Sequence, residues 1–383
     1  MKILYVSNYL NHHQAPIADE MNKIQGVEYI FAEMSETPES FKKAGYPDFS
    51  DRTYLLRGWE NDANYQKVCE LVISSDVVMF GGCYFDLMKL RLRQKSGLTF
   101  QVGERWLKRG LLNLFSPRLI RFVWLYHTKF HRASNYYNLC ASAYSPGDNR
   151  LLGVFNNRSY KWGYFTKIDT DLEAYDRVFS EHRRFSILWC ARFLFWKHPE
   201  LPVKLAYRLK KKGYDFLIDM YGAGPEFEQT KKLVNKLSVS DFVIFHGNVP
   251  NAKLLEQMRK HSIFLFTSDR HEGWGAVANE AMSSGCVVVA SDSIGCVPFL
   301  IQDNKNGCVF KTEDLDSLEN KVEYLLTHSD ELKSYSEKAY STMRDIWSPQ
   351  NAAKNLIKLI DDLSKGNDTS VKEGPCSKAL PLS

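Results

Sequence analysis

The sequence lacks any long apolar run. Hydrophobic residues make up 44% of its 383 positions, but nowhere do about 18 of them follow one another, as a membrane-spanning helix requires. The apolar stretch from Met1 to Val6 is too short for a signal peptide. We therefore expect a cytoplasmic protein rather than a membrane-spanning or secreted one.

The sequence also lacks any pair of cysteines spaced C-x-x-C. Most of its eight cysteines lie in apolar, strand-like runs such as Leu188-Trp189-Cys190. This placement predicts buried thiols in a reducing compartment rather than a disulfide framework.

Net charge is modest at +5, but the basic residues are unevenly distributed. Between positions 84 and 134 the only acidic residues are Asp86 and Glu104. The basic residues there are Lys89, Arg91, Arg93, Lys95, Arg105, Lys108, Arg109, Arg118, Arg121, Lys129 and Arg132. They are interleaved with Trp106, Leu107, Leu111, Leu112, Leu114, Phe115, Leu119, Ile120, Phe122 and Trp124. This composition predicts an electropositive face that lies on an anionic membrane surface. The alternatives are an amphipathic helix pair whose apolar side is core, or a nucleic-acid surface, which we do not expect.

The chain is too long for one compact core, and its strand-like and helical patterns alternate. This alternation predicts two doubly wound parallel α/β domains. We place the first domain at 1–166 and the second at 167–348, with the polar stretch 167–182 as their boundary. A final amphipathic helix is expected over 349–363. Residues 364–383 are polar and aperiodic, so we expect them to be disordered.

The most informative stretch is Arg270 to Glu280, which carries two carboxylates eight positions apart. It follows a predicted strand and opens a short helix, so Glu272 and Glu280 bracket a strand-to-helix turn. Gly273 and Gly275, on either side of Trp274, leave room for backbone amides to meet an anion. At the rise of a helical residue the carboxylates lie about 10 Å apart. Because carboxylates accept hydrogen bonds from hydroxyls, this arrangement predicts a sugar-nucleotide site.

This stretch resembles the E-x7-E motif of GT-B glycosyltransferases of family 4, also called glycosyl transferases group 1. The resemblance covers roughly residues 184–310 well and the N-terminal half loosely. It implies the GT-B fold, with two Rossmann-like domains facing across a cleft and a C-terminal helix that crosses back onto the first domain. It also implies that Glu272 contacts the donor sugar and Glu280 the ribose.

Other strand ends resemble the same family. Arg192 and Lys197, which follow a strand, are similar to the family's pair of cations that clamp the diphosphate and stabilise its departure. Gly222 lies in a glycine turn that resembles a family motif, and Gly247 with Asn248 resembles the segment whose backbone contacts the nucleobase. Because side chains supply the positive charge, we expect no metal ion and no cofactor.

The N-terminal half departs from the family where the first strand turns into its helix. Family members often have glycines there, whereas residues 7–16 contain none. This makes His13 the first candidate for a polar contact in the cleft and His12 the second. Glu104 and Arg105, at the end of a predicted strand, are candidates for acceptor or donor contacts. Their alternative role is a solvated ion pair at a helix start.

The resemblance implies a retaining glycosyltransferase that moves a sugar from a UDP- or GDP-sugar to a hydroxyl of a glycan or polyprenyl-linked acceptor. It also suggests bacterial surface polysaccharide synthesis. The basic stretch between Lys89 and Arg132 predicts, in addition, a peripheral protein at the inner face of the membrane. The alternatives are a sugar-nucleotide 2-epimerase of the same fold and a non-catalytic partner that binds sugar nucleotide. A metal-dependent GT-A transferase would use Asp169-Thr170-Asp171, a D-x-D sequence in the polar boundary. The sequence leaves the sugar, base, acceptor and oligomeric state open.

Overall fold

The computed structural model describes residues 1–39, 47–94, 96–168 and 185–382. The chain forms two compact units. Unit 1 comprises Met1–Lys167 and Ile346–Ser383, and unit 2 comprises Ile168–Asp345. Asp169-Thr170-Asp171 and most of the boundary stretch that the sequence predicts lie outside the described residues.

Unit 1 is built on a parallel sheet of seven strands in the order β3-β2-β1-β4-β5-β6-β7. Its strands are β1 (Lys2–Ser7), β2 (Glu28–Glu33), β3 (Leu55–Arg57), β4 (Val77–Phe80), β5 (Leu98–Gly103), β6 (Tyr136–Cys140) and β7 (Ser159–Lys161). Its helices are α1 (Ala15–Asn22), α2 (Asp62–Ser74), α3 (Phe85–Leu92), α4 (Pro117–Leu125), α5 (Ser145–Leu152) and, at the end of the chain, α13 (Pro349–Ser364). A 3-10 helix at Gly110–Phe115 precedes α4.

Unit 2 is built on a parallel sheet of six strands in the order β10-β9-β8-β11-β12-β13. Its strands are β8 (Phe185–Cys190), β9 (Phe216–Tyr221), β10 (Val243–Gly247), β11 (Ile263–Phe266), β12 (Val287–Ser291) and β13 (Cys308–Phe310). Its helices are α6 (Glu200–Lys211), α7 (Phe227–Lys236), α8 (Asn251–Met258), α9 (Val277–Ser283), α10 (Val297–Leu300), α11 (Leu315–Thr327) and α12 (Ser329–Ser341).

Strands β4 and β11 are apolar throughout, as expected for parallel strands that helices cover on both faces. Every residue of β4 and of β11 is buried. The strand order reverses between β1 and β4 in unit 1 and between β8 and β11 in unit 2. Ligands of doubly wound sheets bind outside the carboxyl ends of the strands at such a reversal. The prediction of two parallel α/β domains is confirmed, and each domain has one such position.

The final helix returns to the first unit, as the sequence predicts. Helix α13 packs against α1, and Gln350 Nε2 donates to Glu20 Oε1 at 3.3 Å. Ser348 caps α13 by accepting from the Asn351 amide at 3.2 Å. Pro349 occupies the first turn, where its missing N–H costs nothing.

The prediction that residues 364–383 are disordered is wrong for the residues that the structure describes. The Lys161 amide donates to the Ser377 carbonyl at 2.8 Å, and the Ala379 amide donates to the Ser159 carbonyl at 3.0 Å. The tail thus pairs with β7, and Cys376 is fully buried. Long-range backbone pairing orders this segment despite its polar, aperiodic sequence, because it satisfies backbone groups that composition does not reveal.

Arg91 also departs from its prediction, because it is not part of an electropositive face. Its side chain is buried on α3, and the guanidinium donates to the carbonyls of Ser75, Asp76 and Leu98 at 2.8, 3.2 and 3.1 Å. A guanidinium offers five donors, so it can satisfy several converging carbonyls at once. Arg91 therefore has a structural role between α2 and β5.

Among the described residues, no helix is both long enough and apolar enough to cross a membrane.

Candidate active site

The strand reversal of unit 2 brings two loops together, one after β8 and one after β11. Trp189 Nε1 on β8 donates to Thr267 Oγ1 at 2.9 Å, and this hydroxyl donates to the Lys197 carbonyl at 2.6 Å. The Asp269 amide donates to the Trp196 carbonyl at 3.0 Å. These bonds fix the Lys197 loop against the loop that carries Glu272.

Lys197 and Glu272 form an ion pair at this reversal through Nζ and Oε2. Their side chains are only 12% and 14% exposed, and the Ser268 hydroxyl donates to the same carboxylate oxygen at 3.2 Å. The ammonium lies 4.3 Å from the centroid of the Trp196 ring. Low exposure strengthens the interaction of both charges with a ligand, since less water screens them.

Arg192 lies in the turn after β8, on a loop that β9 holds through a close backbone crossing. The Phe193 amide donates to the Ala223 carbonyl at 3.0 Å. A Cβ built on Gly222 would lie 1.9 Å from the Ala191 carbonyl oxygen, and Gly222 has a φ of +127°. Only glycine fits there. Arg192 is exposed and has no carboxylate partner among the described residues, so its charge is available to a ligand.

The turn between Glu272 and α9 also requires a glycine. Gly275 has a φ of +94°, and a Cβ there would lie 2.5 Å from the Phe266 ring. The side chain of Trp274 is fully buried and donates from Nε1 to Asn279 Oδ1 at 2.9 Å. It belongs to the core, so a donor contact predicted at Trp274 has to come from its backbone. Gly273 precedes it in the same turn.

Glu280 lies on α9 with its side chain almost fully buried. Asn251 Nδ2, at the start of α8, donates to Glu280 Oε1 at 2.9 Å. Burial raises the pKa of Glu280 to about 7, and the hydrogen bond from Asn251 opposes this rise. The carboxyl group is therefore balanced between its charged and neutral forms near neutral pH. Sequence reasoning missed Asn251, which lies 29 residues away.

Gly247 and Asn248 end β10 next to the glycine turn of β9. The Gly222 amide donates to the Gly247 carbonyl at 2.8 Å, so the two strand ends are joined. Asn248 is exposed. Beside them, the His246 ring stacks on Tyr221 with centroids 4.5 Å apart. The strand ends that carry the predicted donor residues thus lie along one edge of the unit 2 sheet.

A cluster around His198 was not predicted. His198 Nδ1 lies 3.3 Å from Glu200 Oε1, and its Nε2 lies 3.6 Å from Asp269 Oδ2. Burial opposes protonation, but Asp269 and Glu200 outweigh it and raise the pKa of His198 to about 9. Asp269 also accepts from His271 Nδ1 at 2.8 Å. The cluster therefore fixes the residues before Glu272.

His198, Asp269 and Glu313 place their possible ligand atoms within 4.8 Å of one another, which is close enough to hold a metal ion. The contacts of His198 with Asp269 and Glu200 give the cluster a structural role in the loop before Glu272.

In unit 1, His12 and His13 lie in the turn after β1. Burial lowers the pKa of His12 to about 4. Burial and the neighbouring His12 lower that of His13 to about 3. The His13 ring stacks on Tyr164 with centroids 5.9 Å apart, and His13 Nδ1 has no hydrogen-bond partner among the described residues. Both histidines are neutral at pH 7, so they would contact a ligand as hydrogen-bonding groups and not as cations.

Glu104 and Arg105 follow β5, and both have partners within unit 1. Arg105 Nη2 lies 3.1 Å from Asp148 Oδ1, and their side chains are only 10% and 6% exposed. Glu104 pairs with Lys108 and accepts from the Tyr164 hydroxyl at 2.8 Å. The alternative of a solvated ion pair is wrong for Arg105, because its pair is buried. Both residues still line a cavity at this sheet edge.

Comparisons with known proteins agree with this geometry. The crystal structure of Anabaena Alr3699/HepE in complex with UDP superposes with a TM-score of 0.69 and 15% identity, covering 95% of this chain and all of that one. The chain therefore shares the GT-B fold of this structure. Residues 174–342, which lie mostly in unit 2, match the model of the family glycosyl transferases group 1.

Curated relatives match at lower coverage. The poly(glycerol-phosphate) alpha-glucosyltransferase of Bacillus subtilis is 28% identical over 36% of this chain and 20% of its own length. The lipopolysaccharide 1,6-galactosyltransferase of Escherichia coli is 21% identical over 78% of this chain and 74% of its own length. The chain spans between 14% and 47% of the first four relatives that it matches.

Proposed function

We propose that this protein is a glycosyltransferase of surface polysaccharide synthesis, which moves a sugar from a UDP- or GDP-sugar to a hydroxyl of a glycan or lipid-linked glycan. The observation that carries the proposal is the Lys197–Glu272 ion pair at the strand reversal of unit 2. The match of residues 174–342 to the model of glycosyl transferases group 1 and the names of the relatives support it. Unit 2 would bind the donor, and unit 1 the acceptor.

Each charged residue of unit 2 has a distinct role in this proposal. Arg192 and Lys197 stabilise the charge that develops on the departing diphosphate, which makes a metal ion unnecessary. Glu272 accepts hydrogen bonds from hydroxyls of the donor sugar, and Glu280 accepts them from hydroxyls of the ribose. Lys197 is paired with Glu272 before the donor binds. The ammonium group is therefore not an isolated buried charge in the absence of the donor.

We propose transfer with retention, as the family resemblance implies. The bond between the anomeric carbon and the diphosphate oxygen breaks, and the acceptor oxygen forms a bond to the same face. The acceptor proton passes to the leaving phosphate oxygen. This route needs no side chain as a base.

A donor screen tests the proposal. Thermal unfolding is measured with UDP-, GDP- and ADP-sugars, because a ligand at about 100 times its dissociation constant stabilises the fold by about 2.7 kcal/mol. Product analysis with donor and a glycan acceptor then identifies the reaction and the anomeric configuration. A 2-epimerised sugar nucleotide from donor alone, or binding without any turnover, would contradict transfer. Activity that EDTA abolishes and Mg²⁺ restores would contradict metal independence.

We also propose that the protein binds the inner face of an anionic membrane. The segment 109–124 exposes Leu111, Leu112 and Phe115 at 66%, 72% and 79%, and it includes Arg109 and Arg121. Part of the predicted apolar set lies in the core, namely Leu107, Leu119 and Phe122. The exposed remainder, with its adjacent cations, has the composition of a headgroup-binding surface.

Vesicle sedimentation tests membrane binding. The protein should sediment with phosphatidylglycerol vesicles and not with phosphatidylcholine vesicles, and salt should release it. The double variants Leu112→Ser/Phe115→Ser and Arg109→Ser/Arg121→Ser should both bind less. Leu151→Ser is the matched control, because this leucine is 63% exposed on α5 of the same unit. Equal sedimentation of all variants would contradict membrane binding.

A further inference from the structure

Unit 1 contains a cavity of about 390 Å³ beyond the carboxyl ends of β4 and β5. Gly82 and Cys83 line it after β4, Glu104 after β5, and Ser116 and Arg118 at the start of α4. This volume is within the range of small-ligand sites. All of these residues belong to unit 1.

Most charged groups that line the cavity have a partner of opposite charge. Arg105 is neutralised by Asp148, and Lys108 by Glu104. The Glu104 carboxylate also accepts from Tyr164. Arg118 differs, because it has no carboxylate partner among the residues that the structure describes. Its guanidinium is thus the uncompensated charge of the cavity.

Arg118 lines the cavity, so its charge is next to any ligand there. Cys83, which also lines the cavity, has a thiol whose pKa is raised by burial, and the neighbouring Arg118 opposes that rise. The same cavity meets the first turn of α4, where Ser116 makes no side-chain cap. The amides of Arg118 and Leu119 have no acceptor in the described part of the chain. Their N–H groups and the helix dipole add to the attraction for an anion.

An apolar surface adjoins this cavity. Asn113, which lines the cavity, belongs to the 3-10 helix Gly110–Phe115, and no residue of this helix is buried. Leu111, Leu112 and Phe115 on the same helix are exposed. A ligand whose anionic group binds in the cavity can therefore place an alkyl chain against these side chains.

We propose that the cavity binds a phosphate ester of a lipid-linked acceptor, with Arg118 as the residue that determines its specificity. The guanidinium would hold two phosphate oxygens through its planar fork, and the lipid chain would lie over Leu111, Leu112 and Phe115. The assignment of this ligand as acceptor rests on the proposed function. The binding of a lipid phosphate in this cavity does not depend on that function.

Titration calorimetry of the full chain tests the proposal with decyl phosphate below its micellar concentration, with inorganic phosphate and with decanol. Decyl phosphate should bind at least tenfold more tightly than either of the other probes. Arg118→Ala should weaken decyl phosphate binding by roughly tenfold to a hundredfold, as loss of a charge-assisted hydrogen bond predicts. Arg118→Lys should recover only part of the loss.

Arg121→Ala is the matched control, because Arg121 is exposed on the same helix, outside the cavity, with its guanidinium 4.6 Å from the Phe85 ring centroid. Its decyl phosphate affinity should change less than threefold. Equal affinity of Arg118→Ala and the parent protein would overturn the proposal. So would a loss in Arg192→Ala alone, because the phosphate would then lie in unit 2. Equal affinity for decyl and inorganic phosphate would overturn the lipid source.

Donor binding separates this inference from the proposed function. Arg118→Ala should keep the thermal shift that a UDP- or GDP-sugar gives to the parent protein. Loss of that shift in the variant would assign Arg118 to the donor and overturn its role in acceptor binding. A parent protein that binds decyl phosphate but no sugar nucleotide would contradict the proposed function and leave the phosphate site intact.

Discussion

The two units have similar sheets, but their candidate ligand sites are built differently. In unit 2 a close backbone crossing at Gly222 and a tight turn of Gly275 against the Phe266 ring hold the strand ends, and Lys197 pairs with Glu272 within the site. In unit 1 the first turn has no glycine, and a cavity beside an exposed apolar surface takes the place of tight loops. The comparison indicates that the candidate site of unit 2 depends on backbone positions that require glycine, whereas the cavity of unit 1 is lined largely by polar and charged side chains.

The strongest test of this contrast is Lys197→Ala, in unit 2. Donor turnover should fall by roughly a hundredfold or more, because a charge that stabilises the leaving group contributes about 3 kcal/mol to the barrier. Steady-state kinetics measure this loss, with Lys236→Ala as the control on α7. A double-mutant cycle with Glu272→Ala separates catalysis from support of the carboxylate. Near-normal turnover of Lys197→Ala would contradict the role of this paired charge in unit 2.

Gly222→Ala tests whether the backbone crossing defines unit 2. The new Cβ would meet the Ala191 carbonyl, so the free energy of unfolding should fall by about 3 kcal/mol. Gly213→Ala is the matched control, because Gly213 also has a positive φ, +81°, but its Cβ would meet nothing within 4 Å. Its cost should be about 1 kcal/mol. Equal losses in urea unfolding would show that backbone strain alone, and not the crossing, matters.

Glu280 gives a smaller effect that depends on pH. Burial raises its pKa to about 7, so the carboxyl group takes up a proton as the pH falls through 7. A protonated carboxyl accepts fewer hydroxyl hydrogen bonds. The KM for the donor should therefore rise by roughly tenfold between pH 8 and pH 6, since about one tenth of the group is charged one unit below its pKa. The KM of Glu280→Gln should stay flat, and a parallel slope in that variant would assign the titration to another group.

The smallest expected effect lies in unit 1, where the tail meets β7. Tyr160→Phe removes the hydrogen bond from the Tyr160 hydroxyl to Asp368 Oδ1, which is 2.9 Å long. Thermal unfolding should show a loss of about 1 kcal/mol. Tyr137→Phe on the neighbouring strand β6 is the control. The donor-induced thermal shift should be unchanged in both variants, and a weaker shift in Tyr160→Phe would link the tail to unit 2.

The sequence predicts the fold, and the sheet edge of unit 2 that carries the proposed donor residues, because those features leave local signatures. Buried parallel strands are continuous apolar runs, and tight turns need glycine at fixed positions. Contacts between distant residues leave no such periodicity. Arg105 pairs with Asp148 across a separation of 43 residues. Tyr160 donates a hydrogen bond to Asp368 across a separation of 208 residues. The buried ion pair of unit 1, the ordered tail and the isolated charge of Arg118 therefore emerge only when the chain is folded.

The return of the chain to unit 1 at Ile346 has a consequence for biosynthesis. Helix α13 and the tail that pairs with β7 leave the ribosome after the strands of unit 2. Because domains generally fold as units while the chain emerges, unit 2 acquires all of its own elements first. Residues 1–167 of unit 1 are synthesised earlier, but α1 lacks its contact with α13 until the end of the chain has emerged. A chain truncated after residue 345 should therefore bind the proposed donor, although its N-terminal half does not resist proteolysis.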